Sequence, residues 1–193
     1  SRQSRLPAPF MPHILDLPPA PRLRSAPVTV GLLGEQRREK GDGIVEPLAK
    51  ALVAAGFRVL LHDSLGRPTD ASTDPPGLER VGFVADFGSL VDRCDLVITP
   101  YDPARYRWRM SGIAIDALAR AVPCIVPADS HAADVVRRFD AGETLAEVSV
   151  PAIVAAVATA RQRYPACADG ALAAAGWLAR EHGADRAADA LLQ

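Results

Sequence analysis

Arg37, Arg38 and Lys40 crowd the stretch GEQRREKGDG (34–43), and Arg105, Arg107 and Arg109 occupy every second position of YDPARYRWRMSG (101–112). Each stretch follows a short apolar run, VTVGLL (28–33) or DLVITP (95–100), and the second leads into the alanine-rich GIAIDALARA (112–121). Cations at this density suit an anion. A guanidinium offers two parallel N–H donors to phosphate oxygens, and the Lys40 ammonium adds a point charge. Ser111 is of the type that caps a helix. Gly112 would let a ligand approach the N–H groups of the first turn, at the positive end of the helix dipole. Two cationic loops brought together fit a diphosphate better than a single carboxylate. The same residues have a plainer use, since Glu35, Glu39 and Asp102 can pair with them on a solvated surface. Asp116 is then an exposed helical acid, and Tyr101, Tyr106 and Trp108 either stack on a ligand or cover the end of a sheet.

For both loops to serve one ligand they must be neighbours, which depends on the elements that carry them. Short β-branched runs at 28–33, 57–63, 78–84, 95–100 and 123–128 read as strands, the third as a weak edge. Helical patterns occupy 44–56, 86–94, 112–121, 132–142 and 151–164, with Asp86 as a cap, Pro151 in a first turn and Gly142 as a stop. Turn residues fill 64–77, ETLAEVSV follows Gly142 without an assignment, and helices at about 166–182 and 184–192 finish the chain. This alternation predicts an α/β, Rossmann-like doubly wound parallel sheet with helices on both faces. In the strand order 3-2-1-4-5, strands one and four meet where the order reverses, and ligands of such sheets bind beyond the carboxyl ends at that point. Both cationic loops emerge there.

Bulk properties narrow the partners. The chain has 193 residues, 49% of them hydrophobic, enough for one domain with a real core. A net charge of −1 argues against a general nucleic-acid or membrane-surface binder, so any electrostatic function is local. Cys94, Cys124 and Cys167 are far apart and odd in number, which suits buried thiols in a reduced, cytoplasmic setting better than disulfides. No run of about 18 apolar residues or secretory leader is present. His13, His62, His131 and His182 lack metal-ligand spacing. The P-loop, Gly-x-Gly-x-x-Gly and Gly-x-Ser-x-Gly motifs are missing. Residues 1–27 hold seven of the 17 prolines and read as an extended interdomain connector following a domain that is not in this sequence.

The succession VGLLGEQRREKGDGIVEPLAKAL, CDLVITPY and SGIAIDALARAVPCIVPA resembles, over residues 28–165, the C-terminal half of the GT-B glycosyltransferases of the retaining group 1 kind. Lys40-Gly41 matches the Lys-Gly pair that holds the donor diphosphate in that family. Asp116 falls on the second Glu of the Glu-x7-Glu segment, which binds ribose. Three positions depart from the pattern: Glu35 stands at the usual arginine, Trp108 at the first Glu, and Val122 at the glycine before the proline. Arg37 or Arg38 would then replace the arginine, and Ser111-Gly112 the glycine turn.

The resemblance implies a donor-binding domain over 28–193 whose last helices, from about 166, return towards an absent N-terminal GT-B domain. It implies a nucleotide-diphosphate sugar as donor, no metal or other cofactor, and a protein of the cytoplasm, at the inner membrane face if the missing domain binds there. Arg37, Arg38, Lys40, Arg109, Ser111 and Gly112 would hold the diphosphate. Asp116 would hold the ribose, residues 83–87 would lie beside the base, and Tyr101 and Trp108 would face the sugar or stack. The catalytic residue is not identified by the motifs. Two other readings stay open: a nucleotide-sugar epimerase of the same build, using Asp102 and His131, and a non-catalytic interaction module whose arginines meet an acidic partner.

Overall fold

The structure, a computed structural model, describes residues 28–35, 38–62 and 74–182. The proposed connector 1–27, Arg37 and the helix expected at 184–192 lie outside the described residues. Six parallel strands form one sheet in the order β3-β2-β1-β4-β5-β6. They are β1 (Thr29–Leu32), β2 (Arg58–His62), β3 (Leu78–Val81), β4 (Leu96–Ile98), β5 (Cys124–Pro127) and β6 (Gly142–Leu145). The helices are α1 (Asp42–Ala54), α2 (Phe87–Val91), α3 (Pro103–Tyr106), α4 (Gly112–Ala119), α5 (His131–Phe139), α6 (Val150–Gln162) and α7 (Tyr164–His182). A 3₁₀ turn, Arg38–Lys40, precedes α1.

The central strands β1, β4 and β5 are apolar on both faces because both faces are covered, as a parallel sheet requires. Leu96 and Ile98 of β4 join the core beneath α1 and α6, whereas Val97 between them joins the core beneath α2, α4, α5 and α7. Leu48 and Leu52 seal the first face, and Leu118 and Leu178 the second, each wholly buried. Each such leucine contributes roughly 1.5–3 kcal/mol by leaving water. Helix α7 begins in the first core through Tyr164 and Cys167 and continues into the second through Ala171, Ala174 and Leu178. All three cysteines are buried free thiols, and burial pushes the pKa of Cys124 upward.

Two details differ from the expectation. Gly142 does not end a helix. Helix α5 stops at Phe139, Asp140 turns the chain with φ 57°, and Gly142 opens a sixth strand that ETLAEVSV had not suggested. Gly142 has φ 135°, and the Cys124 backbone occupies the space that a Cβ there would need. Only glycine fits so close an approach. The stretch 101–112, expected as a plain loop, also contains α3, started by Pro103 and capped by the Asp102 carboxylate, which accepts the Ala104 N–H at 3.0 Å.

Candidate functional site

Parallel pairing of β1 with β4, Val30 opposite Leu96 and Leu32 opposite Ile98, sets the two cationic stretches side by side at the carboxyl edge. They are tied together. The Asp102 N–H donates to the Glu39 carbonyl at 3.0 Å, and the Pro100 carbonyl lies 2.5 Å from where a Cβ on Gly41 would sit. Lys40 Nζ stands 5.9 Å from the centroid of the Tyr101 ring. Glu35, Lys40, Pro100 and Tyr101 leave only about 10 Å³ between them, so an anion would lie across these loops rather than between them.

Arg38 belongs to the 3₁₀ turn. Arg105, Arg107 and Arg109 are all exposed. Arg105 approaches Asp102 at 3.7 Å, a solvated pair worth about 0–1 kcal/mol, and Arg107 lies 5.5 Å from the Trp108 ring centroid. Among the described residues no ion pair engages Arg107 or Arg109. Trp108 is 86% exposed. Tyr101 is built into the sheet end instead, 4% exposed and packed against Tyr106, the ring centroids 4.4 Å apart and the planes inclined at 43°. Burial pushes the Tyr101 pKa upward, against a hydrogen bond with Ser111.

Helix α4 opens as the Ser-Gly pair suggested. Ser111 is buried, extended at φ −89° and ψ 106°, and its Oγ accepts the Ala114 N–H at 3.2 Å. Its carbonyl accepts from Ile115 at 3.0 Å. The N–H groups of Gly112 and Ile113 therefore have no acceptor within the helix. Gly112 is exposed, with nothing within 4 Å of the position a Cβ would take. Gly34, at φ 96°, abuts the Ile113 side chain, which seats the loop after β1 against the first turn of α4.

One turn further, Asp116 faces a cleft of about 430 Å³ shared with Ala85, Asp86, Phe87, Gly88 and Arg120. The expected ribose carboxylate and the expected base-side loop thus line one cavity, next to the α4 N-terminus. Asp86 caps α2 by accepting the Ser89 N–H at 3.2 Å. Arg120 passes close over Gly88 and pairs with Asp92 at 3.0 Å, forming part of the wall. Sequence reasoning did not single out Arg120 or Gly88, because they lie in ordinary helical patterns and meet only across the α2–α4 packing. Asp102 and His131, the acid and base of the epimerase alternative, are both exposed, at the starts of α3 and α5. Among the described residues no three His, Cys, Asp or Glu side chains gather as a metal-holding group, and no helix is long and apolar enough to cross a membrane.

No family model matches the chain, and no curated protein sequence does. Solved structures do match. HepE of Anabaena in complex with UDP-glucose superposes with a TM-score of 0.65 at 16% identity, over 86% of this chain and 48% of that one. A glycosyltransferase of Rickettsia africae gives 0.68 at 12% identity, over 88% and 47%. The sucrose-phosphate synthase of Thermosynechococcus elongatus gives 0.64 at 16% identity, over 86% and 43%. The chain spans about half the length of these proteins or slightly less. At such identities the likeness is one of fold: a Rossmann-like α/β domain of the kind found in glycosyltransferase structures.

Proposed function

We propose that this chain is the donor-nucleotide-binding domain, the C-terminal half, of a GT-B retaining glycosyltransferase. One observation carries the reading: two cationic loops, joined by the Asp102–Glu39 backbone bond, flank the open N-terminus of α4 one turn from the Asp116 cleft. The diphosphate lies across Lys40, Arg37 or Arg38, and Arg109, with the open N–H groups of the first turn of α4, at Ser111-Gly112, beneath it. The ribose diol donates to the Asp116 carboxylate, and the base enters the cleft beside Ala85 and Phe87. Fold likeness to a protein solved with UDP-glucose makes uridine diphosphate the first nucleotide to try.

The chemistry asked of these residues is electrostatic. As the bond between sugar and diphosphate breaks, negative charge builds on the leaving oxygens, and cations already in place stabilise it without reorganising. The positive groups are supplied by side chains and helix N–H groups, so the proposal includes no metal. The acceptor and the remaining groups around the sugar belong to a second domain. This chain alone therefore binds nucleotide and transfers little or no sugar.

Calorimetric titration with UDP, GDP and ADP, with uridine as control, tests the reading. One diphosphate should bind, the free nucleoside should not, and Lys40→Ala and Asp116→Ala should each weaken the complex. Silence towards all three diphosphates, in this chain and in the full-length protein alike, would sink it. Trp108, fully presented where the resembled family has its first Glu, favours a second reading, an interaction module for an acidic partner. That reading gains if the nucleotides fail.

A further inference from the structure

His62 ends β2 at the carboxyl edge of the sheet and has no part in the binding scheme above. It is 3% exposed. Its Nδ1 accepts the N–H of Gly34 at 3.1 Å. An accepting Nδ1 carries no proton, so the ring is neutral with its hydrogen on Nε2. The same ring packs on Phe87, with centroids 5.7 Å apart and planes inclined at 59°. Phe87 lines the cleft that Asp116 faces, and Gly34 sits in the loop that abuts Ile113 at the start of α4. One buried ring thus touches both halves of the candidate site, the phosphate loop and the nucleoside wall.

The strand pattern makes a histidine here unexpected. The run Arg58–His62 is otherwise apolar after its first residue, and a leucine would fill the same volume at the end of such a strand. It would leave the buried Gly34 N–H without its acceptor, and an unpaired buried donor costs more than the net value of the bond. A loop freed in that way would settle where it could reach water, moving Glu35 and Lys40 with it.

We infer that His62 is a positioning residue for the nucleotide, fixing the phosphate loop against the nucleoside wall so that one diphosphate can span both. The inference rests on the nucleotide-binding reading. It predicts a graded series in UDP titrations of the chain. His62→Leu removes the acceptor, keeps the bulk, and should weaken UDP about tenfold, the equivalent of one buried hydrogen bond of about 1.4 kcal/mol. His62→Asn puts an amide oxygen where Nδ1 was and should recover binding to within about threefold of wild type. Phe87→Leu leaves the Gly34 bond intact and should weaken UDP while leaving inorganic pyrophosphate unaffected, which keeps the test alive if His62→Leu does not fold. Thermal melts and the Gly34 amide proton shift, followed in parallel, report folding and the bond itself.

Equal weakness of the Asn and Leu variants would overturn the inference, as would all three variants binding UDP within about twofold of a wild-type chain that binds it. A wild-type chain that binds no nucleotide would remove the reading of the site and this inference with it.

Discussion

Ser111 shows how much one hydroxyl can be asked to do. Its Oγ caps α4 through Ala114, it hydrogen-bonds Tyr101, and its position leaves the next two N–H groups for a ligand. Replacing it with alanine should cost about 1 kcal/mol in urea denaturation, the usual value of an N-cap, with nucleotide affinity falling further because α4 frays at the anion site. On the proposed reading, Lys40→Ala and Asp116→Ala act on the ligand directly. Each should weaken UDP by about tenfold or more, since hydrogen bonds to charged groups contribute about 1.5–3 kcal/mol, and Lys40→Ala should not lower the melting point appreciably. The caps at Asp86 and Ser111 were legible because each precedes an apolar helical run. The place of Tyr101 was not: whether a tyrosine after a strand-ending proline meets ligand or core depends on Tyr106, carried by a helix the sequence did not reveal. His62 was hidden for a similar reason, because its bond to Gly34 exists only through the pairing of β1 with β2.

Among the elements, β6 is the one most sensitive to a single methyl group. Gly142→Ala would place a Cβ into the Cys124 backbone and hold a non-glycine residue at φ 135°. The expected loss is about 2 kcal/mol or more, measured by denaturation, with β6 and the adjoining end of α5 exchanging amide protons earliest. Periodicity missed this strand because GETL is short and polar and follows a glycine that reads equally well as a helix stop.

At the other edge, Arg80 of β3 clamps Glu46 of α1 at 2.6 Å and Asp74 at 2.6 Å. Hydrogen bonds from Arg80 hold both carboxyls below the usual carboxylate range, and those same bonds push the arginine's pKa further up. A depressed folded pKa gives stability that is complete above the unfolded value and is lost as the pH falls through the folded one. Arg80→Ala should therefore be less stable than wild type at neutral pH by roughly 1 kcal/mol, given solvent screening. The gap should close as acid protonates both partners below the ordinary carboxylate range; a gap that persists in acid would mean that Arg80 acts through packing.

At the scale of the whole molecule, the doubly wound parallel sheet and its two-faced cores were readable from sequence because they rest on which positions are apolar; the order 3-2-1-4-5, assumed as usual for that class, is the one found, with β6 added at the edge. The same tolerance lets this chain superpose at TM-scores of 0.64 to 0.68 on proteins sharing 12–16% of its residues. Ligand chemistry is less forgiving, and the departures at Glu35, Trp108 and Val122 fall where a family motif would otherwise name the groups around a sugar. The charge distribution is a molecular property too. A net charge of −1 with Arg105, Arg107 and Arg109 exposed on one loop would make anion binding there local and screenable. UDP affinity should fall severalfold between about 50 and 500 mM sodium chloride and stay unchanged on adding EDTA, both read in the same titration.

The chain also carries two tryptophans in opposite surroundings: Trp108 is open to water beside Arg107, whereas Trp177 is packed on Phe139 beneath Arg138. Its ultraviolet emission is therefore the sum of a solvent-relaxed, red-shifted band and a bluer one, and iodide, drawn to the arginines, quenches the first before the second. The edge of the sheet that bears the cationic loops has a built-in fluorophore, legible without a label.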